Sequence, residues 1–91
     1  MKDIFRIVWQ EAYKEPMPWD DDQEPSCEIR LIEFGEAVFR DEYICVLKDN
    51  LAKCKFHRGD LVVAALRFKV RQRIDGSCYQ EIQVVDIKKI K

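Results

Sequence analysis

The chain has 91 residues, with 16 Lys/Arg against 17 Asp/Glu for a formal charge of −1; 47% of it is apolar and ten side chains are aromatic. This composition fits a single domain, residues 1–91, with one core, and excludes a disordered or multidomain chain. No apolar run approaches the roughly 20 residues needed to span a bilayer, and the acidic start reads as no signal peptide, so a cytoplasmic protein without membrane attachment is expected.

"DIFRIVWQEAY" (residues 3–13) alternates as a first strand, with Ile4 and Val8 on one face and Phe5, Ile7 and Trp9 on the other. Residues 14–25, "KEPMPWDDDQEP", read as an acidic, Pro-rich loop, because prolines and clustered charge oppose regular structure. Five of the seven acidic side chains of residues 1–25 sit here: residues 1–25 hold three basic and seven acidic side chains, whereas residues 26–91 hold 13 and 10. "SCEIRLIEF" is the second strand, ended by a turn at Gly35. "EYICVLKD" is the third, with Tyr43, Cys45 and Leu47 facing one way and Ile44 and Val46 the other. A strand apolar on both faces is usually central in its sheet.

"DNLAKCKFHRGD" then predicts a helix of about two turns, capped by Asp49 or Asn50 and ended by Gly59 in the left-handed region. "LVVAALRFKVRQR" is a long fourth strand, and Asp75-Gly76 predicts a type I′ hairpin turn. "CYQEIQVVDIKKI" returns as the fifth, with a slip in alternation near Val84 and Val85 that predicts a bulge or a doubly buried stretch. The order is β-β-β-α-β-β: all-β with a small helix inserted, the order of a five-stranded OB-fold Greek-key barrel. An SH3-like barrel, which usually lacks that helix, is the alternative.

The fourth strand places Arg67, Lys69, Arg71 and Arg73 on one face. Same-face neighbours lie about 6.5–7 Å apart, close to the repeat of an extended single-strand backbone, so the four can follow a phosphate chain. Tyr79, beside Arg73 across the hairpin, and Trp19 in the acidic loop are the candidates for base stacking. The alternative is a solvated outer face that blunts a sheet edge, its charge balanced by Glu81 and neighbours across the hairpin. Trp9, Phe5, Phe34, Phe56 and Phe68 are expected in the core.

Cys27, Cys45, Cys54 and Cys78 contain no C-x-x-C pair and His57 is the only histidine, so buried free thiols in a reduced compartment are expected rather than a zinc site. There is no nucleophile motif and no glycine-rich phosphate loop, and His57 reads as exposed. A non-enzyme is expected, with no catalytic residue, metal, cofactor or small-molecule substrate.

"EIRLIEFGEAVFRDEYICVLKD" and "LAKCKFHRGDLVVAALRFKVRQRIDGSCYQEIQVVDIKKI" together resemble small bacterial single-domain OB-fold proteins related to single-stranded-DNA-binding proteins. The likeness covers roughly residues 26–91 and, weakly, residues 1–13. It rests on the helix leading into Gly59-Asp60, the polar hairpin after the fourth strand, and the closing aliphatic run from Val84 to Ile87. It implies a non-catalytic module binding single-stranded DNA or RNA. Two features depart from those relatives. The chain closes on Lys88, Lys89 and Lys91 rather than an acidic tail, and the loop between the first two strands carries Asp20, Asp21 and Asp22, which repel phosphates. The rival expectation is therefore a protein-interaction or assembly module, homo-oligomeric in one form, that docks through Met17, Trp19, Asp20, Asp21 and Asp22.

Overall fold

The structure is a computed structural model that describes residues 1–13, 25–35 and 40–91. It is all-β. Five strands, β1 (Lys2–Gln10), β2 (Ser26–Glu33), β3 (Glu42–Lys48), β4 (Leu61–Gln72) and β5 (Cys78–Lys89), pair in the order β1-β2-β3-β5-β4, and β4 returns to β1 to complete a ring of hydrogen bonds. Every pairing is antiparallel except β3 with β5, which meet in parallel at Val46 and Gln83. The inward residues of each strand form the core: Phe5 and Ile7, Ile29 and Leu31, Cys45 and Leu47, Val62, Ala64 and Leu66, then Val84 and Ile87. Burying a side chain of the Leu, Ile or Phe class contributes about 1.5–3 kcal/mol, so these rows account for why the strands curl onto one another.

Irregularities in the ladders decide which residues leave the core. The register of β1 against β2 shifts between Ile7 and Trp9, so Val8 is the extra residue of a bulge. The shift reverses parity. Trp9 pairs with Arg30 and stands outside, 48% exposed, while Gln10 pairs with Ile29 and turns in. The expected core position of Trp9 is thus corrected. The predicted slip in β5 is also present: Asp86 pairs with Ala65 and Val84 with Leu66, leaving Val85 unpaired and exposed.

Only a five-residue 3-10 helix, Asp49–Lys53, forms where two turns of α-helix are predicted. Neither Asp49 nor Asn50 supplies a cap: Lys48 holds the N-cap position without a side-chain bond, and Asp49 sits at φ 56. The backbone groups that a second turn would use are engaged elsewhere. Gln10 Nε2 donates to the Cys54 carbonyl at 2.7 Å, and the Phe56 N–H donates to Gln10 Oε1 at 2.8 Å. Gly59 does adopt the left-handed region, at φ 93.

The β4–β5 hairpin also turns differently from expectation. A type I′ turn needs positive φ at both Asp75 and Gly76, but only Gly76 has it. Instead the Gly76 N–H donates to the Arg73 carbonyl and the Arg73 N–H to the Ser77 carbonyl, a three-residue loop closed by a left-handed glycine. Asp75 favours this form by accepting bonds from both the N–H and the hydroxyl of Ser77.

Beyond Leu66, β4 leaves β1 behind. The last bonds between them join Met1 and Leu66; among the described residues, 67–72 pair only with β5, which still meets β3 at Gln83, and the end toward the turn is a two-stranded ribbon. This overhang extends past the ring in a molecule whose longest extent is 43 Å. It also explains Phe68, which points to the inner side but lies past the ring and stays half-exposed. Phe34, just past the end of β2, is half-exposed beneath the Arg6 guanidinium at 5.6 Å, whereas Phe5 is fully buried and Phe56 packs against the core.

Candidate functional site

The register of the ribbon places Arg67 opposite Gln83, Lys69 opposite Glu81 and Arg71 opposite Tyr79, so these side chains share its outer face. Strand alternation sets this row: Leu66 is held inward by the core, and every second residue after Arg67 therefore points out. Arg73 follows at the turn. The four predicted cations do lie along one face.

They are not equivalent. Glu81, only 9% exposed, is the carboxylate at the middle of the row. Arg71 Nε donates to Glu81 Oε2 at 2.8 Å, Lys69 Nζ lies 3.7 Å from the same oxygen, and Lys48 Nζ, itself 8% exposed, reaches Oε1 at 3.5 Å. Burial by itself pushes the Glu81 carboxyl up. The Arg71 hydrogen bond and the charges of Lys48, Arg71 and Lys69 outweigh that and hold it below its ordinary value. Among the described residues Glu81 thus engages three cations, Lys48, Lys69 and Arg71, with Arg67 and Arg73 at the two ends of the row. Arg67 has no ion-pair partner among the described residues.

At the far end the Arg73 guanidinium lies over the Tyr79 ring at 4.3 Å from its centroid. That stacking fixes both groups beside the turn. With Gln72, Ile74 and Asp75 they bound an open depression of about 610 Å³. The Asp75 carboxylate, held below its ordinary range by the Ser77 hydroxyl and N–H, contributes negative charge to that rim.

A second outward row was missed in the sequence. Trp9 pairs with Arg30, and Arg30 pairs with Ile44, so an aromatic, a guanidinium and an exposed aliphatic run side by side across β1, β2 and β3. Arg30 is shared with Glu42 at 3.5 Å. The parity reversal at Val8 hid Trp9, and a strand apolar on both sides gave no sign that the Ile44 face is the exposed one. No sequence signal short of the bulge itself distinguishes these positions.

His57 is exposed, 3.9 Å from Asp60. Among the described residues no three His, Cys, Asp or Glu side chains gather to hold a metal ion, and no helix is long and apolar enough to cross a membrane. The docking residues expected in the acidic loop, Met17, Trp19, Asp20, Asp21 and Asp22, lie outside the described residues. No protein-family model matches the chain, and no curated protein matches it.

Proposed function

We propose that the chain is an OB-fold module that binds single-stranded nucleic acid along the outer face of its β4–β5 ribbon, without catalysis. The ring order β1-β2-β3-β5-β4 supports the Greek-key barrel, because the third and fifth strands then meet in parallel while all other neighbours are antiparallel. One observation carries the binding site: Arg67, Lys69, Arg71 and Arg73 stand in line on a strand face where, among the described residues, Glu81 engages Lys69 and Arg71, and the line ends on the Tyr79 ring. Charge along the row tracks the phosphates. The aromatic end offers a stacking surface indifferent to base identity, at about 1–3 kcal/mol per stacked base.

Arg67 and Arg73 are the phosphate ligands of first rank, since Lys69 and Arg71 already divide their charge with Glu81. Each neutralised phosphate adds about −0.7 to the slope of log K against log salt on a single strand, so two to four contacts give about −1.4 to −2.8. Fluorescence anisotropy of a labelled oligo-thymidine, at low and near-physiological salt, measures this slope. Arg67→Glu combined with Arg73→Glu should weaken binding at least tenfold with the melting curve unchanged. Unaltered affinity in that variant, or no binding at low salt, sinks the assignment.

A further inference from the structure

The ribbon that carries the cations has a free side. Leu66 exchanges both backbone bonds with Met1: its N–H reaches the Met1 carbonyl at 2.6 Å, and the Met1 amine reaches its carbonyl at 3.0 Å. In an antiparallel ladder every second residue points its N–H and C=O to the same edge. Phe68, Val70 and Gln72 therefore direct theirs away from β5, to the side that β1 has left. Among the described residues nothing pairs with them. Three consecutive donor–acceptor pairs on a regular strand form a template for one more strand.

The two faces flanking this edge differ sharply. On the inner side Phe68 is half-exposed, Val70 is 68% exposed and Ile74, at the turn, is 96% exposed. On the outer side stand Arg67, Lys69, Arg71 and Arg73. A strand laid along the edge would set its alternate residues beside one face and then the other, at about 4.5–5.5 Å between paired Cβ atoms. A second copy of this chain fits poorly. Two β4 edges paired about a two-fold axis would bring the cationic rows side by side, and like charges placed opposite one another destabilise a sheet. The same row that discourages self-pairing favours carboxylates.

We propose that the open edge of β4 from Phe68 to Gln72 docks an extended peptide segment of alternating acidic and apolar residues, added as a further strand. The backbone groups of Phe68, Val70 and Gln72 hold it in register, its apolar residues cover Phe68 and Val70, and its carboxylates lie beside Lys69 and Arg71. This edge is distinct from the outward surface assigned to nucleic acid, although the two share the cations. An acidic strand docked there would lower the affinity of the face for phosphate.

A fluorescein-labelled, end-blocked nine-residue peptide alternating Glu and Val tests the proposal against the full chain. Anisotropy should show saturable binding, at least tenfold weaker for the same peptide with Lys in place of Glu. Amide hydrogen exchange reads the geometry directly. Phe68, Val70 and Gln72 should exchange fast in the free protein and at least tenfold slower with peptide, whereas Lys69 and Arg71, bonded to β5, should be slow in both. Val70→Pro removes one edge donor without touching the β4–β5 ladder, and Val70→Lys removes its apolar contact; each should weaken the peptide at least tenfold. Both variants should bind oligo-thymidine as before, which separates failure here from failure of the nucleic-acid site. Equal affinity for the Lys peptide, unchanged exchange at the three amides, or a dimer in solution abolished by Val70→Lys would overturn the proposal.

Discussion

Replacing Glu81 by Gln removes one negative charge and almost no volume, and its cost follows from the surroundings of the carboxylate. Lys48 is as buried as Glu81 and finds its counter-charge there, 3.5 Å away. Stripping one partner from a buried ion pair costs about 3–5 kcal/mol, because the other charge is left desolvated. Lys69 and Arg71 reach solvent, and the amide oxygen still accepts from Arg71, so the cost falls at or just below the bottom of that range, about 2–3 kcal/mol. For a domain of this size that is a fall of about 10–20 °C in Tm, read by circular dichroism with a parallel urea titration. The gap should depend on pH. The folded carboxyl lies below its ordinary 4.5, so its stabilisation is fully present above 4.5 and is lost as pH falls through the folded value. The two proteins should therefore converge in acid. A loss below about 0.5 kcal/mol, the scale of a solvated pair, would refute the reasoning. So would a gap that persists unchanged at acid pH.

Gln10→Ala takes an acceptor from the Phe56 N–H and a donor from the Cys54 carbonyl. It should cost about 1–3 kcal/mol and speed hydrogen exchange at Phe56 ahead of the strand amides, as measured by NMR. The thiols should divide two and two. Cys54 and Cys78 are exposed, whereas burial raises Cys27 and pushes Cys45 up to about 12, so an aromatic disulfide reagent at mildly alkaline pH should modify two thiols in the native protein and the remaining pair only in denaturant.

Element order was legible because alternation is a local property. The period-2 rows of β2 and β4 follow from which residues are apolar, and the slip at Val85 announced itself as a break in that row. The positions that misled are those where a ladder, not a residue type, decides. Trp9 is apolar at strand spacing, yet one inserted residue at Val8 moves it outside and brings Gln10 in. Phe68 keeps its predicted direction and meets the Tyr43 ring edge-on at 6.3 Å, but it lies beyond the β1–β4 ladder and stays half-exposed. The helix after β3 fell short for a related reason: a side chain from β1 claims the carbonyl of Cys54 and the N–H of Phe56. At the site, the cationic row could be read directly, and so could Glu81 as a balancing charge across the hairpin. The arrival of Lys48 from β3 at that carboxylate could not, since it depends on how two strands distant in sequence meet.

The parallel contact of Val46 with Gln83 is a clasp on an otherwise antiparallel sheet. Released there, the ring would unroll into an open sheet in the order β3-β2-β1-β4-β5 with every antiparallel ladder still intact. Such an excursion sacrifices little backbone pairing, yet it bares two long edges at once. The seam between β3 and β5 is thus the natural hinge for slow breathing of the native state and the place where two copies would exchange strands under destabilising conditions.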